Sequence, residues 1–102
     1  MDLQKFSSKQ AAQVSRVFKS FSHPSRFKVL CRLLEGPCTV RDLQGACGLE
    51  QAPTSQFLAR LRAEGQIVGA RKGNQVFYSL ADTRLSELMK VIAKLYGSET
   101  QS

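Results

Sequence analysis

The chain has 102 residues, with 15 Lys and Arg against eight Asp and Glu, a formal charge of +7 and a 42% hydrophobic fraction. That length suits one domain with a modest core, near the size at which a second copy often supplies extra buried surface. No apolar run approaches the roughly 20 residues a membrane span needs. Residues 1–20 lack the apolar stretch of a signal peptide, so a cytoplasmic protein is expected, with no membrane partner. In that compartment three cysteines spaced 7 and 9 residues apart do not read as a disulfide framework.

Charge is uneven. The first 34 residues hold seven of the fifteen cations and one acid, Asp2. Such a bias attracts polyanions through a long-range field and counterion release, and nucleic acid becomes the leading partner. Many basic proteins bind none, so the order of elements has to decide.

Ala11, Val14, Phe18 and Phe21 recur at helical spacing and predict a first helix over about residues 8–20. In "SHPSRFKVLCRLLEGP", Ser22 or His23 sits near a cap and Pro24 suits a first turn, while Gly36 and Pro37 end the second helix. Phe27, Leu30, Cys31 and Leu34 share its inward face. In "TVRDLQGACGLE", Thr39 and Asp42 stand in the capping-box relation, opening a short third helix that stops near Gly48. A tight turn leads into "QAPTSQFLARLRAEG", a fourth helix ended by Gly65. Two short helices joined this way have the layout of a helix-turn-helix.

Ile67 then begins a strand, "RKGN" turns around Gly73, and Val76, Tyr78 and Leu80 alternate with polar or outward positions as a half-buried strand does. After this hairpin, Leu85, Leu88, Met89, Ile92, Leu95 and Tyr96 form one apolar stripe of a last helix. The fold class is mainly α with a small β-hairpin: four helices, the hairpin, a fifth helix. Residues 1–102 are expected to form one domain, with 98–102 as a flexible tail.

The stretches "SHPSRFKVLCRLLEG", "TVRDL", "TSQFLARLRAEGQIV" and "RKGNQVFYSL" resemble, in order and spacing, the ArsR/SmtB-type winged-helix repressors of bacteria. The resemblance implies a winged helix-turn-helix and a homodimer joined through the first and last helices, here 8–21 and 83–97. Each subunit would carry one recognition helix and one wing, and the dimer would repress promoters until a signal releases it. Val14, Phe18, Leu85, Leu88, Ile92 and Leu95 are the expected dimer contacts.

With Leu58 and Leu61 turned to the core, the fourth helix would offer Gln51, Ala52, Ser55, Gln56 and Ala59 to DNA, and Thr54 near its N-terminus. Gln can bond adenine in bidentate fashion, Ser and Thr reach several bases or phosphates, and Ala can touch a thymine methyl. Arg60 and Arg62 suit the sugar-phosphate backbone better than base edges. On the wing, Arg71, Lys72, Asn74 and Gln75 bring cations and amides to the adjacent backbone or minor groove.

Metal-sensing members of the family carry a cysteine pair in "ELCVCDL", where this chain has "PCTVRDL", with Thr39 and Arg41 at the two ligand positions. His23 is the only histidine and lies far from the last helix, where other members bind metal. Neither a metal nor another cofactor is therefore expected. The chain is closest to members without metal-ligand motifs and to the sulfur- and redox-sensing branch. There, Cys31 matches a cysteine of the second helix, but Gly97 stands where its partner in the last helix would be. Cys31 and Cys38 remain the candidate redox residues, with Cys38, beside Pro37, expected to be exposed. No glycine-rich phosphate loop, carboxylate pair or oriented Cys-His couple supports an enzyme. The rival to a DNA-binding regulator is a winged helix used in protein assembly, and salt-dependent duplex binding separates the two.

Overall fold

The computed structural model describes residues 4–48 and 50–97, with the backbone but not the side chain of Gln51. The expected tail 98–102 lies outside them. The elements follow the order α1 (Ser8–Ser20), α2 (Pro24–Leu34), α3 (Val40–Cys47), α4 (Gln51–Ala63), β1 (Ile67–Lys72), β2 (Gln75–Leu80) and α5 (Thr83–Tyr96).

Local chemistry accounts for most of the boundaries. The Ser7 side chain accepts the Gln10 N–H at 3.0 Å, and the Gln10 side chain accepts the Ser7 N–H at 2.9 Å. Thr39 and Asp42 make the same reciprocal box at the start of α3, with bonds of 3.0 and 3.1 Å. Each box satisfies backbone donors that the first turn leaves unpaired. His23 caps α2 through Nδ1, which accepts the Ser25 N–H at 3.1 Å, so its role here is structural. At the end of α4, Gly65 takes φ 76° while Gly65 N–H and Gln66 N–H donate to the carbonyls of Arg62 and Leu61. These paired bonds form a Schellman motif, which stops the helix and delivers the chain into β1 within three residues.

The core is assembled from every helix after the first. Val29, Leu30 and Leu33 of α2 meet Leu43 of α3, Leu58 and Leu61 of α4, Ile67 of β1, and Leu85 and Met89 of α5. In contrast, α1 buries only Ser20, with Val17 and Phe21 packed partly against the core. The Phe18, Phe21 and Phe27 rings continue this packing edge to face, with centroids 5.9 and 6.1 Å apart. The Ser20 hydroxyl donates to the Gln66 side chain at 2.8 Å, tying α1 to the start of the hairpin.

Two sequence expectations change here. Leu85 is 1% exposed and packs into the subunit's own core, so it offers a second copy far less surface than expected, although it lines the floor of the groove between α1 and α5. The stripe on α5 is continuous, but the helix runs off the edge of the core and only its later part faces outward. Cys38 is fully buried because residue 38 is bridged to Tyr78 of β2, with backbone bonds of 3.0 and 2.7 Å in the two directions. Its thiol is turned to the Gly36 carbonyl at 3.2 Å. Cys31 and Cys47 are half-buried against the same core. Burial raises the pKa of all three thiols, which leaves less thiolate than a free cysteine would show at neutral pH.

Candidate nucleic-acid interface

β1 and β2 pair antiparallel from Ile67 with Leu80 to Lys72 with Gln75, leaving Gly73 and Asn74 as a two-residue tip. Gly73 has φ 63°, and no non-glycine residue among those described has positive φ. Positive φ at only the first tip position is the type II′ pattern, whose twist matches that of the strands. Arg71, Lys72, Asn74 and Gln75 are all exposed at this end. The expected alternation along β2 is blunter than in the sequence, since Val76 through Leu80 are all half-buried.

The hairpin is anchored at its base. Ala81 N–H donates to the Gln66 carbonyl at 2.9 Å, and the Cys38 bridge fastens β2 to the segment that leads into α3. Only Glu64, Gly65 and Gln66 separate α4 from β1. The wing therefore holds a fixed position beside α3 and α4.

On α4, Leu58 and Leu61 face inward at 1% exposure. At 3.6 residues per turn, Ala52, Ser55, Gln56 and Ala59 share the opposite face, and all four are exposed. Arg60 and Arg62, also exposed, flank that face on opposite sides, a placement suited to phosphates on either side of a groove. The Gln51 side chain lies outside the described residues. Pro53 falls in the first turn, where a missing N–H costs no intrahelical bond, and the helix starts before it.

Thr54 requires a correction. It is fully buried, and its hydroxyl donates to the Glu50 carbonyl at 2.7 Å. A threonine inside a helix can return its hydroxyl to the carbonyl four residues back. The Thr54 hydroxyl is therefore buried and satisfied within its own first turn and is not offered to DNA.

Arg26 carries no signal in the sequence that marks it for a role. Its guanidinium carbon lies 5.2 Å from the centre of the Phe57 ring on α4, a cation-π interaction between helices. The local pattern of "HPSRF" cannot show this, because the partner ring is 31 residues away (57 − 26). Among the described residues, no group of three or more His, Cys, Asp or Glu could hold a metal ion, and no helix is long and apolar enough to cross a membrane.

A second exposed surface is apolar. Val14 and Phe18 of α1 and Val91, Leu95 and Tyr96 of α5 are exposed, the last two at 68% and 82%. Leu88 and Ile92 are half-buried beside them. Phe6, Val14, Phe18 and Leu88 line a groove of about 480 Å³ between the two helices.

Comparison with known proteins agrees with this geometry. Residues 23–67 match the profile of the family described as bacterial regulatory protein, arsR family. The HTH-type transcriptional regulator NmtR of Mycobacterium tuberculosis is 42% identical over 92 residues, covering 90% of this chain and 75% of that protein. The crystal structure of the transcriptional repressor BigR from Xylella fastidiosa superimposes with a TM-score of 0.79 at 32% identity, covering 86% of this chain and 90% of the other. A homodimeric winged helix-turn-helix DNA-binding domain from Mycobacterium bovis, solved in solution, gives a TM-score of 0.74 at 25% identity, with 91% and 89% covered. The hairpin beside α4 is thus the wing of a winged helix-turn-helix, and the chain belongs to the ArsR family of bacterial DNA-binding transcriptional regulators, not to an enzyme family.

Proposed function

We propose that the protein is a cytoplasmic homodimeric repressor that binds an inverted-repeat operator, with α4 of each subunit in a major groove and wing 71–75 on the adjacent backbone or minor groove. The observation that carries this reading is the coexistence of two exposed surfaces of opposite character: the small, polar face of α4 with its basic wing, and the apolar face of α1 with the end of α5. Contiguous exposed apolar surface is costly in water and is usually covered by a partner. A two-fold axis through such a seam makes the same patch serve both copies. The homodimeric relative from Mycobacterium bovis and the repressor relative from Xylella fastidiosa support the assembly and the direction of control.

In this reading Ser55 and Gln56 contact base edges, with Ala52 and Ala59 allowing close approach. Arg60, Arg62, Arg71, Lys72, Asn74 and Gln75 hold the backbone, and Gln51 keeps its expected place at the start of the helix. Val14, Phe18, Leu88, Ile92 and Leu95 form the seam. No metal takes part, since Thr39 and Arg41 stand at the cysteine positions of the third-helix site. Selection of bound duplexes from a random pool tests the reading. The expected product is an imperfect inverted repeat with half-sites about one helical turn, roughly 10 base pairs, apart. Enrichment of unrelated single sites, or no enrichment, would refute it.

A further inference from the structure

The cations that first suggested a polyanion are not used up by the reading surface. Arg60, Arg62, Arg71 and Lys72 all lie beyond residue 34, whereas seven of the fifteen cations precede it. Three of those seven converge. Arg16 and Lys19 from α1 and Arg26 from α2 line one pocket of about 250 Å³ together with Arg60 of α4, and Glu64 is its single acid. Among the described residues the ion pairs join Arg32 to Glu35, Arg84 to Asp82 and Lys90 to Glu87, so none of these five groups is in one.

Helix dipoles explain part of the cluster. Lys19 and Arg60 occupy the last turns of α1 and α4, where a cation is favourable. Arg16 lies a turn earlier, and Arg26 lies in the first turn of α2, where a positive charge works against the dipole. Stacking on the Phe57 ring holds Arg26 in that position. A concave site with an apolar floor and unneutralised cations concentrates positive potential and favours an anion with several acceptor oxygens. Arg60 also flanks the base-reading face of α4, so the pocket borders the DNA-facing surface. Arg16 borders the apolar groove of α1 and α5 as well.

We propose that Arg16, Lys19, Arg26 and Arg60 form a phosphate-binding pocket between α1, α2 and α4, which grips a backbone phosphate beside the half-site read by α4. The proposal rests on α4 being the reading helix. The same chemistry would accept a free phosphorylated anion, and the experiment separates the two sources. Arg16→Gln/Lys19→Gln changes two exposed side chains outside the core. Arg26→Gln serves as a second variant, with its melting curve recorded because it no longer stacks on Phe57. Each is titrated against selected operator and scrambled duplex over a range of salt, beside Arg71→Ala. Inorganic pyrophosphate is titrated calorimetrically into the wild-type chain and both variants without DNA.

The expected result is a salt slope reduced by about 1 for each phosphate that the variant no longer neutralises, with both duplexes weakened alike. An unchanged slope, with pyrophosphate bound by the wild type and not by the variants, would keep the pocket and reassign it to a free anion. Unchanged slopes with no pyrophosphate binding would overturn it, and the Arg71→Ala titration then tells whether the reading of the wing falls too.

Discussion

Helices α4 and α5 are nearly equal in length, 13 and 14 residues, and both lay apolar side chains into the same core, yet their outer faces differ in kind. The exposed face of α4 carries the small or polar Ala52, Ser55, Gln56 and Ala59, which water covers at little cost and which the proposed function gives to DNA. The later part of α5 carries Val91, Leu95 and Tyr96, which water covers at a cost. Two helices on one core thus present one surface for a polar partner and one for an apolar partner. The proposed function assigns reading and assembly to these different faces, so each should be breakable alone.

The largest effects should come from α5, and they should differ along its length. Leu85→Ala empties a core position and should lower unfolding stability by about 2–5 kcal/mol in a chemical denaturation curve. Leu95→Glu, on the proposed seam, should leave the fold of each chain intact. It removes burial worth on the order of 1.5–3 kcal/mol per copy and places a charge there, so light scattering should report a monomer and operator binding should disappear. A stable dimer of the Leu95 variant would move the seam elsewhere.

On the reading side, Ser55→Ala or Gln56→Ala should cost roughly 1–3 kcal/mol on operator and less on scrambled duplex. Arg71→Ala or Lys72→Ala should weaken both duplexes equally and lower the salt slope by about 1 for each cation removed. Equal effects of all four changes on both duplexes would refute the division between base and backbone contacts.

Much of this architecture was legible in the sequence, because the signals are local. Thr39 with Asp42, Gly48, Gly65 and Gly73 each set a boundary through their own backbone requirements, and the structure keeps those boundaries. What was not legible depends on residues far apart in the chain. The hydroxyl of Thr54 suggested a role on DNA, but tertiary packing covers it and the Glu50 carbonyl satisfies it. The periodicity of α5 is the same for Leu85 and Leu95, so only the extent of the core tells core from seam. A position beside Pro37 suggests exposure for Cys38, and only the strand pairing with Tyr78, 40 residues on (78 − 38), buries it. The pocket of Arg16, Lys19, Arg26 and Arg60 draws on three helices that no window of sequence contains.

Smaller effects follow from the caps. Thr39→Ala should destabilise α3 by about 1 kcal/mol in the same denaturation assay. The backbone N–H of Thr39, then its hydroxyl, hold the Asp42 pKa below its ordinary value, and the Arg84 side chain does the same for Asp82. A depressed pKa means the folded state binds fewer protons than the unfolded one. The stabilisation is therefore present above the ordinary aspartate range, about pH 4, and fades as pH falls through the lower folded values. Thermal melts should decline over that acid window, and Asp82→Asn should flatten the decline. The smallest effect is none: stoichiometric zinc or nickel, or a chelator, should change operator affinity by less than tenfold, about 1.4 kcal/mol.

That one face pairs two chains so that two reading helices meet one duplex can be decided by the mass of the complex with the selected operator in sedimentation equilibrium. The mass expected is that of two chains and one duplex, with Leu95→Glu unable to form it. One chain per duplex at full affinity would show that the apolar face is not what brings the reading helices together.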